Sequence, residues 1–239
     1  MKKVAILSVL IGTSLLSQAA TVNWSAAIDT GFLTSASNNT TFLPIGNFVR
    51  IGYFSILDAN ILSLHNAGDI TGLNGSFQEY ANTTIGTGTD NFDGTFTKNS
   101  IADTSSGGNN LQNLQMYIWV LKATNNTSLA AALASTTEEA IFYVASGSNP
   151  SWKFPSGFSG DTTVDASDIH NGTANGLATG AQIVVGGYRS NVNRPDVAAA
   201  FGLPRVEGIQ LAAPVPEPTS VFLIAAGAAG LMMRRRRQS

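Results

Sequence analysis

Closely spaced carboxylates are the residues of this chain best suited to chemistry. Asp161, Asp165 and Asp168 fall within the run Gly160 to Asp168, and a hard cation such as Ca2+ takes several oxygen ligands from a loop of that kind. Gly157 and Ser159 stand where further acidic or amide ligands are wanted, and Thr162 stands where the sharp turn wants glycine. The three aspartates are therefore a weak Ca2+ candidate. A turn with solvated carboxylates feeding a strand is the simpler expectation, and no cofactor is expected. Asp90-Asn91-Phe92-Asp93-Gly94 is a second cation turn on the same logic, but Asp-Gly also suits the positive φ of a hairpin turn. Glycoside hydrolysis needs two carboxyl groups in environments that separate their pKa values. Glu79, Glu138, Glu139, Asp165 and Glu207 could be paired in many ways, and nothing in their spacing chooses one. The adjacent Glu138 and Glu139 are expected in the first turn of a segment or on an exposed rim. His65 and His170 are the only histidines, no Gly-x-Ser-x-Gly elbow accompanies them, and neither form of Gly-rich phosphate loop occurs. With no cysteine in the sequence, thiol catalysis, Cys-ligated zinc and disulfides are excluded. The chain reads as non-catalytic.

Aromatic side chains offer a different chemistry, since sugar faces stack on Trp and Tyr rings. The available rings are Trp24, Tyr53, Trp119, Tyr143, Trp152 and Tyr188. Tyr53 and Trp119 lie in apolar runs that look like core. Trp152, between Asn149-Pro150-Ser151 and Lys153, is the ring most open to exposure, although a packing role is the simpler expectation for it too, so a carbohydrate-binding module is the alternative reading and a secreted hydrolase a lesser one. Nucleic acid is not an expected partner: between residues 20 and 213 seven basic residues face fourteen acidic ones, a net charge of about −7, with no basic patch to neutralise phosphates.

The elements that must position these residues alternate in polarity. Val22, Trp24, Ala26 and Ile28 share one face of a first strand, and Val49, Ile51 and Tyr53 share one face of a second. Leu114, Met116, Ile118 and Val120 flank Tyr117 and Trp119 in a run apolar on both faces, which predicts a central strand. Ala140 to Val144, Ala181 to Val185 and Val206 to Leu211 are further strands. Short helices are expected over Asn60 to Leu64, Ser76 to Ala81 and Ser128 to Ala134. Stretches such as 34–41 and 82–110 are rich in Gly, Ser, Thr, Asn and Asp, the turn formers. The sum is a mainly all-β chain: a single antiparallel β-sandwich or jelly-roll-like domain with short helices over 20–213.

The two ends carry targeting patterns. Lys2-Lys3, an apolar stretch from Val4 to Leu16 and the small residues Ser17 and Ala19 read as a signal peptide over 1–19, cut between Ala19 and Ala20. Its partners would be the Sec translocon and signal peptidase. Over 214–239 the order is Val215-Pro216-Glu217-Pro218-Thr219-Ser220, a charge-free stretch from Val221 to Met233, then Arg234-Arg235-Arg236-Arg237. Thirteen helical residues reach about 20 Å against a hydrocarbon core of about 30 Å, so the expected transmembrane helix is a short one. The four arginines would hold its end on the cytoplasmic side of the inner membrane.

The Pro-Glu-Pro triplet, the short Ala/Gly-rich span and the Arg cluster, in that order, resemble the PEP-CTERM sorting signal of Gram-negative bacteria. That resemblance implies recognition of Val215 to Ser220 by an exosortase-like enzyme, and placement at the envelope surface or in a matrix rich in extracellular polysaccharide. Phe48 to Phe54, Met116 to Val120, Trp152 to Pro155 and Ile183 to Gly187 are similar to segments of exported PEP-CTERM proteins of Verrucomicrobia-type bacteria. The wider resemblance implies no activity for the domain.

Overall fold

The computed structural model describes residues 21–26, 30–35, 41–88, 92–101, 111–145, 151–156, 161–170, 176–192 and 206–214. The signal peptide with Ala19 and Ala20, Ile28, Asp90 and Asn91, the sorting motif Val215 to Ser220, the apolar stretch Val221 to Met233 and Arg234 to Arg237 lie outside them. Among the described residues no helix is long and apolar enough to cross a membrane.

In chain order the elements are β1 (Thr21–Ala26), β2 (Thr30–Leu33), β3 (Phe48–Phe54), α1 (Asp58–Asn66), α2 (Ile70–Ser76), β4 (Phe77–Thr84), β5 (Phe96–Ile101), β6 (Tyr117–Ala123), α3 (Leu129–Ala134), β7 (Thr136–Val144) and β8 (Thr162–Asp165). After a 3-10 turn over Ala166–Ile169 come β9 (Ala181–Val185), β10 (Gly187–Val192) and β11 (Val206–Gln210). They form a five-stranded sheet in the order β4-β3-β6-β7-β9 and two three-stranded sheets, β5-β1-β8 and β10-β11-β2. The large sheet is antiparallel throughout.

β6 is its middle strand, and both its faces are buried: Tyr117, Ile118, Trp119, Val120 and Leu121 are all inaccessible or nearly so. The doubly apolar run earns that place, because only a central strand buries both sides. Val49, Ile51, Ile118, Val120, Ala140 and Phe142 line one face, in a cluster with Val22, Trp24, Phe32, Phe96, Val164 and Ile209 of the small sheets. Trp119, Leu121, Ile141 and Val185 line the other, packed with Ile61 of α1, Leu73 of α2 and Leu133 of α3. Each large side chain so buried contributes about 1.5–3 kcal/mol.

Three expectations are corrected. The chain is mainly β with short helices, but not purely antiparallel: β1 runs parallel to β8 and β2 parallel to β11. These pairings join segments far apart in sequence, which local periodicity cannot report. Of the stretch from Ser76 to Ala81 only Ser76, the last residue of α2, is helical; β4 begins at Phe77 and pairs with β3, Phe77 opposite Phe54. Helix propensity there yields to the ladder and to burial of the Phe77 ring. Finally, pairing continues past the end of the expected last strand, Val206 to Leu211, because Ala212 is bridged to Glu139 of the large sheet.

Candidate functional site

The helix-covered face of the large sheet holds the buried polar groups Arg50, His65 and Glu139, and the route to the C-terminal tail leaves beside it. α1 positions them. Its apolar contact is Ile61, and His65 one turn later shares that face. His65 Nδ1 lies 2.8 Å from Glu139 Oε1, and the Trp119 indole N–H donates to Glu139 Oε2 at 2.6 Å. Glu139 is fully buried and His65 nearly so. Two turns before His65, Asp58 accepts hydrogen bonds from Tyr117 and Tyr143, at 3.0 and 2.8 Å. Those two turns cover about 10.5 Å of helix beside the four residues, about 13 Å of strand, that separate Glu139 from Tyr143. The helix is thus pinned to β7 near both ends. Burial, reinforced by Asp58, raises both phenols, Tyr143 to about 12.

Arg50, on the same face, is buried between the rings of Phe77 and Trp119, with its guanidinium carbon 4.6 and 4.7 Å from their centroids. Its Nε donates to Glu79 at 2.5 Å. Burial lowers its pKa, against the opposing pull of Glu79. The stacking is a cation–π arrangement that holds a charge inside an aromatic wall.

The chain reaches its tail past this cluster. Glu139 N–H donates to the Ala212 carbonyl at 2.9 Å and Ala212 N–H to the Glu139 carbonyl at 2.8 Å. Pro214 then comes close to the turn between α1 and α2, where a Cβ on Gly68 would lie 3.8 Å from the proline Cβ. Nothing in the local sequence signals this bridge, because its partner strand lies far away in the chain.

The predicted acidic sites disperse. Asp165 caps the 3-10 turn, accepting from Ser167 N–H, and also accepts from the Ser25 hydroxyl. Asp168 accepts from Asp165 N–H at 3.1 Å and from the Trp152 indole at 2.9 Å. Burial holds Asp168 above the usual carboxylate range, while the Trp152 hydrogen bond pulls the other way. Asp161 is exposed ahead of β8. The loop's carboxylates are therefore spent on shaping a turn. Asp93 accepts from Ile45 N–H at 3.0 Å, and Gly94 takes φ +77°, the conformation an Asp-Gly turn requires. Among the described residues no group of three His, Asp or Glu side chains could hold a metal ion.

Glu138 and Glu139 are not on an exposed rim. Both are buried, and as neighbours on one strand they point to opposite faces. Glu138 accepts from Lys122 Nζ at 2.5 Å and from Ser35 N–H at 2.6 Å. Glu207, also buried, accepts from the Tyr188 hydroxyl and lies 3.4 Å from His170 Nδ1. Glu79, Glu138, Glu139, Asp165 and Glu207 thus serve separate internal contacts. Trp152 takes the packing role: it is fully buried against Phe142, ring centroids 5.8 Å apart, and Trp24 is buried against Phe96 at 5.0 Å. A sugar-stacking platform built on Trp24 or Trp152 has no exposed ring to use. The indole N–H bond to Asp168 explains how a Trp flanked by polar residues turns inward.

Comparison with protein-family models matches residues 214–237 to the PEP-CTERM protein-sorting motif. The chain therefore carries that motif immediately after its bridged end at Ala212, and the motif marks an exported, cell-surface-associated protein that is sorted by exosortase. Comparisons with curated proteins and with solved structures found no match.

Proposed function

We propose that the chain is a non-catalytic cell-surface passenger delivered by its sorting tail. A signal peptide over 1–19 engages the Sec translocon and is removed between Ala19 and Ala20. The body over 20–213, read as a sandwich-like domain, folds outside the inner membrane. Val221 to Met233 then halts the chain in that membrane with Arg234 to Arg237 on the cytoplasmic side. Val215 to Ser220 is thereby presented to the exosortase between the body and the membrane stop. The observation that carries this reading is the sorting-motif match over 214–237. Its non-catalytic part is supported by the buried carboxylates Glu138, Glu139 and Glu207 and by Asp168, each engaged in internal contacts at dispersed points of the fold.

The test is the intact mass of the native protein from the envelope and from the medium of its own host. A species beginning near Ala20 and ending near Pro218 is expected, and Glu217→Ala should leave Arg234 to Ser239 attached. An unchanged mature mass for Glu217→Ala would reduce the tail to a plain membrane stop.

A further inference from the structure

The domain ends on a clamp. Leu211 N–H donates to the Leu33 carbonyl at 2.8 Å, and Ala212 exchanges both backbone hydrogen bonds with Glu139. Glu139 gives this anchor little freedom, since its buried carboxylate is held by Trp119 and His65. Pro214 comes next, near Gly68. Between Pro214 and the apolar stretch that starts at Val221 stand the six residues 215–220. Fully extended they span about 20–22 Å, about two helix diameters. A membrane-bound enzyme that reads Pro216-Glu217-Pro218 must work within that gap. Any residue before Val215 that it takes in extended form must first leave the sheet, because one backbone N–H cannot serve both the ladder and an enzyme groove.

We propose that the Ala212 clamp gates tail processing: the exosortase gains its full purchase on the motif only when the segment from Leu211 to Pro214 detaches from Leu33 and Glu139. This rests on the sorting reading above and adds to it a control exerted by the folded passenger. Two variants of the full chain test it in the native host, by following the disappearance of the unprocessed mass after a pulse of synthesis. One carries a flexible Gly/Ser spacer between Ala213 and Pro214, which leaves the clamp intact but frees the motif from it. The other is Ala212→Pro, which deletes the N–H that bonds Glu139. Removal of one backbone hydrogen bond should raise the open population about fivefold, so Ala212→Pro is expected to shorten the processing half-time several-fold, and the spacer at least as much. Unchanged half-times in the spacer variant overturn the gate, whatever Ala212→Pro does to folding. Slower processing overturns it as well, because the enzyme would then be using the passenger's body as a support. A parent chain that is never shortened, with either variant behaving the same, removes the sorting reading and the gate together.

Discussion

The two faces of the five-stranded sheet bury their side chains by different rules. On the face toward the small sheets, Trp24, Phe32, Phe96, Phe142 and Trp152 pack ring against ring, and polar atoms such as the Trp152 N–H are satisfied at the margin by Asp168. On the face under the helices, Arg50, Asp58, His65 and Glu139 are set among Phe54, Phe77, Tyr117 and Trp119. In a chain with only 12% charged residues, placing Arg50, Asp58 and Glu139 there is informative. A sheet packed on a sheet is held in register by its own pleat and twist. Short helices can slide or turn on a flat apolar surface, and directional hydrogen bonds remove that freedom. The cost is the desolvation of polar groups, which is recovered only while each keeps its partner.

Substitutions on the two faces can break this contrast. The largest effect is expected on the apolar face, where Phe142→Ala should lower stability by about 3–5 kcal/mol through lost contacts with Phe32 and Trp152 and the cavity left behind. Glu139→Leu keeps the site apolar in bulk but orphans the Trp119 N–H and His65, and a loss of about 3 kcal/mol is expected in the same denaturant titration. If Glu139→Leu were neutral, the helix face would be an ordinary hydrophobic contact and the contrast would fail. The smallest effect sharpens it. Tyr143 keeps its proton to about pH 12 in the fold, through burial and the bond to Asp58, against an ordinary value of 10.0. The folded state therefore holds a proton that the unfolded chain releases, and the stability this supplies is complete below pH 10 and lost as pH rises toward 12. Urea midpoints compared across that interval should fall less steeply in Tyr143→Phe than in the parent.

Much of the framework was legible in the residues alone. The doubly apolar run through Trp119 placed a central strand, and β6 is the middle strand of the large sheet. Val22, Trp24 and Ala26 alternate as expected in β1. Ser128 caps α3 by accepting from Ala131 N–H at 3.1 Å, a contact that needs only neighbours in sequence. The site was far less legible. Trp152 sits in a stretch of polar and turn-forming residues, so local polarity pointed outward, while Phe142 and Asp168 drew it inward. Glu138 and Glu139 gave no sign of their partners, since His65, Trp119, Lys122 and Ser35 come from other segments of the chain.

The sequence by itself determined the sorting tail, the low charge, the absence of thiol chemistry and the β-rich alternation, because each depends on residue type and on order within a continuous stretch of chain. Tertiary structure alone decided that β1 and β2 take parallel partners, that the carboxylates turn inward to separate partners, and that the chain is clamped at Ala212 just before the motif. Those outcomes depend on which distant segments meet, and a buried polar group goes where its partner is.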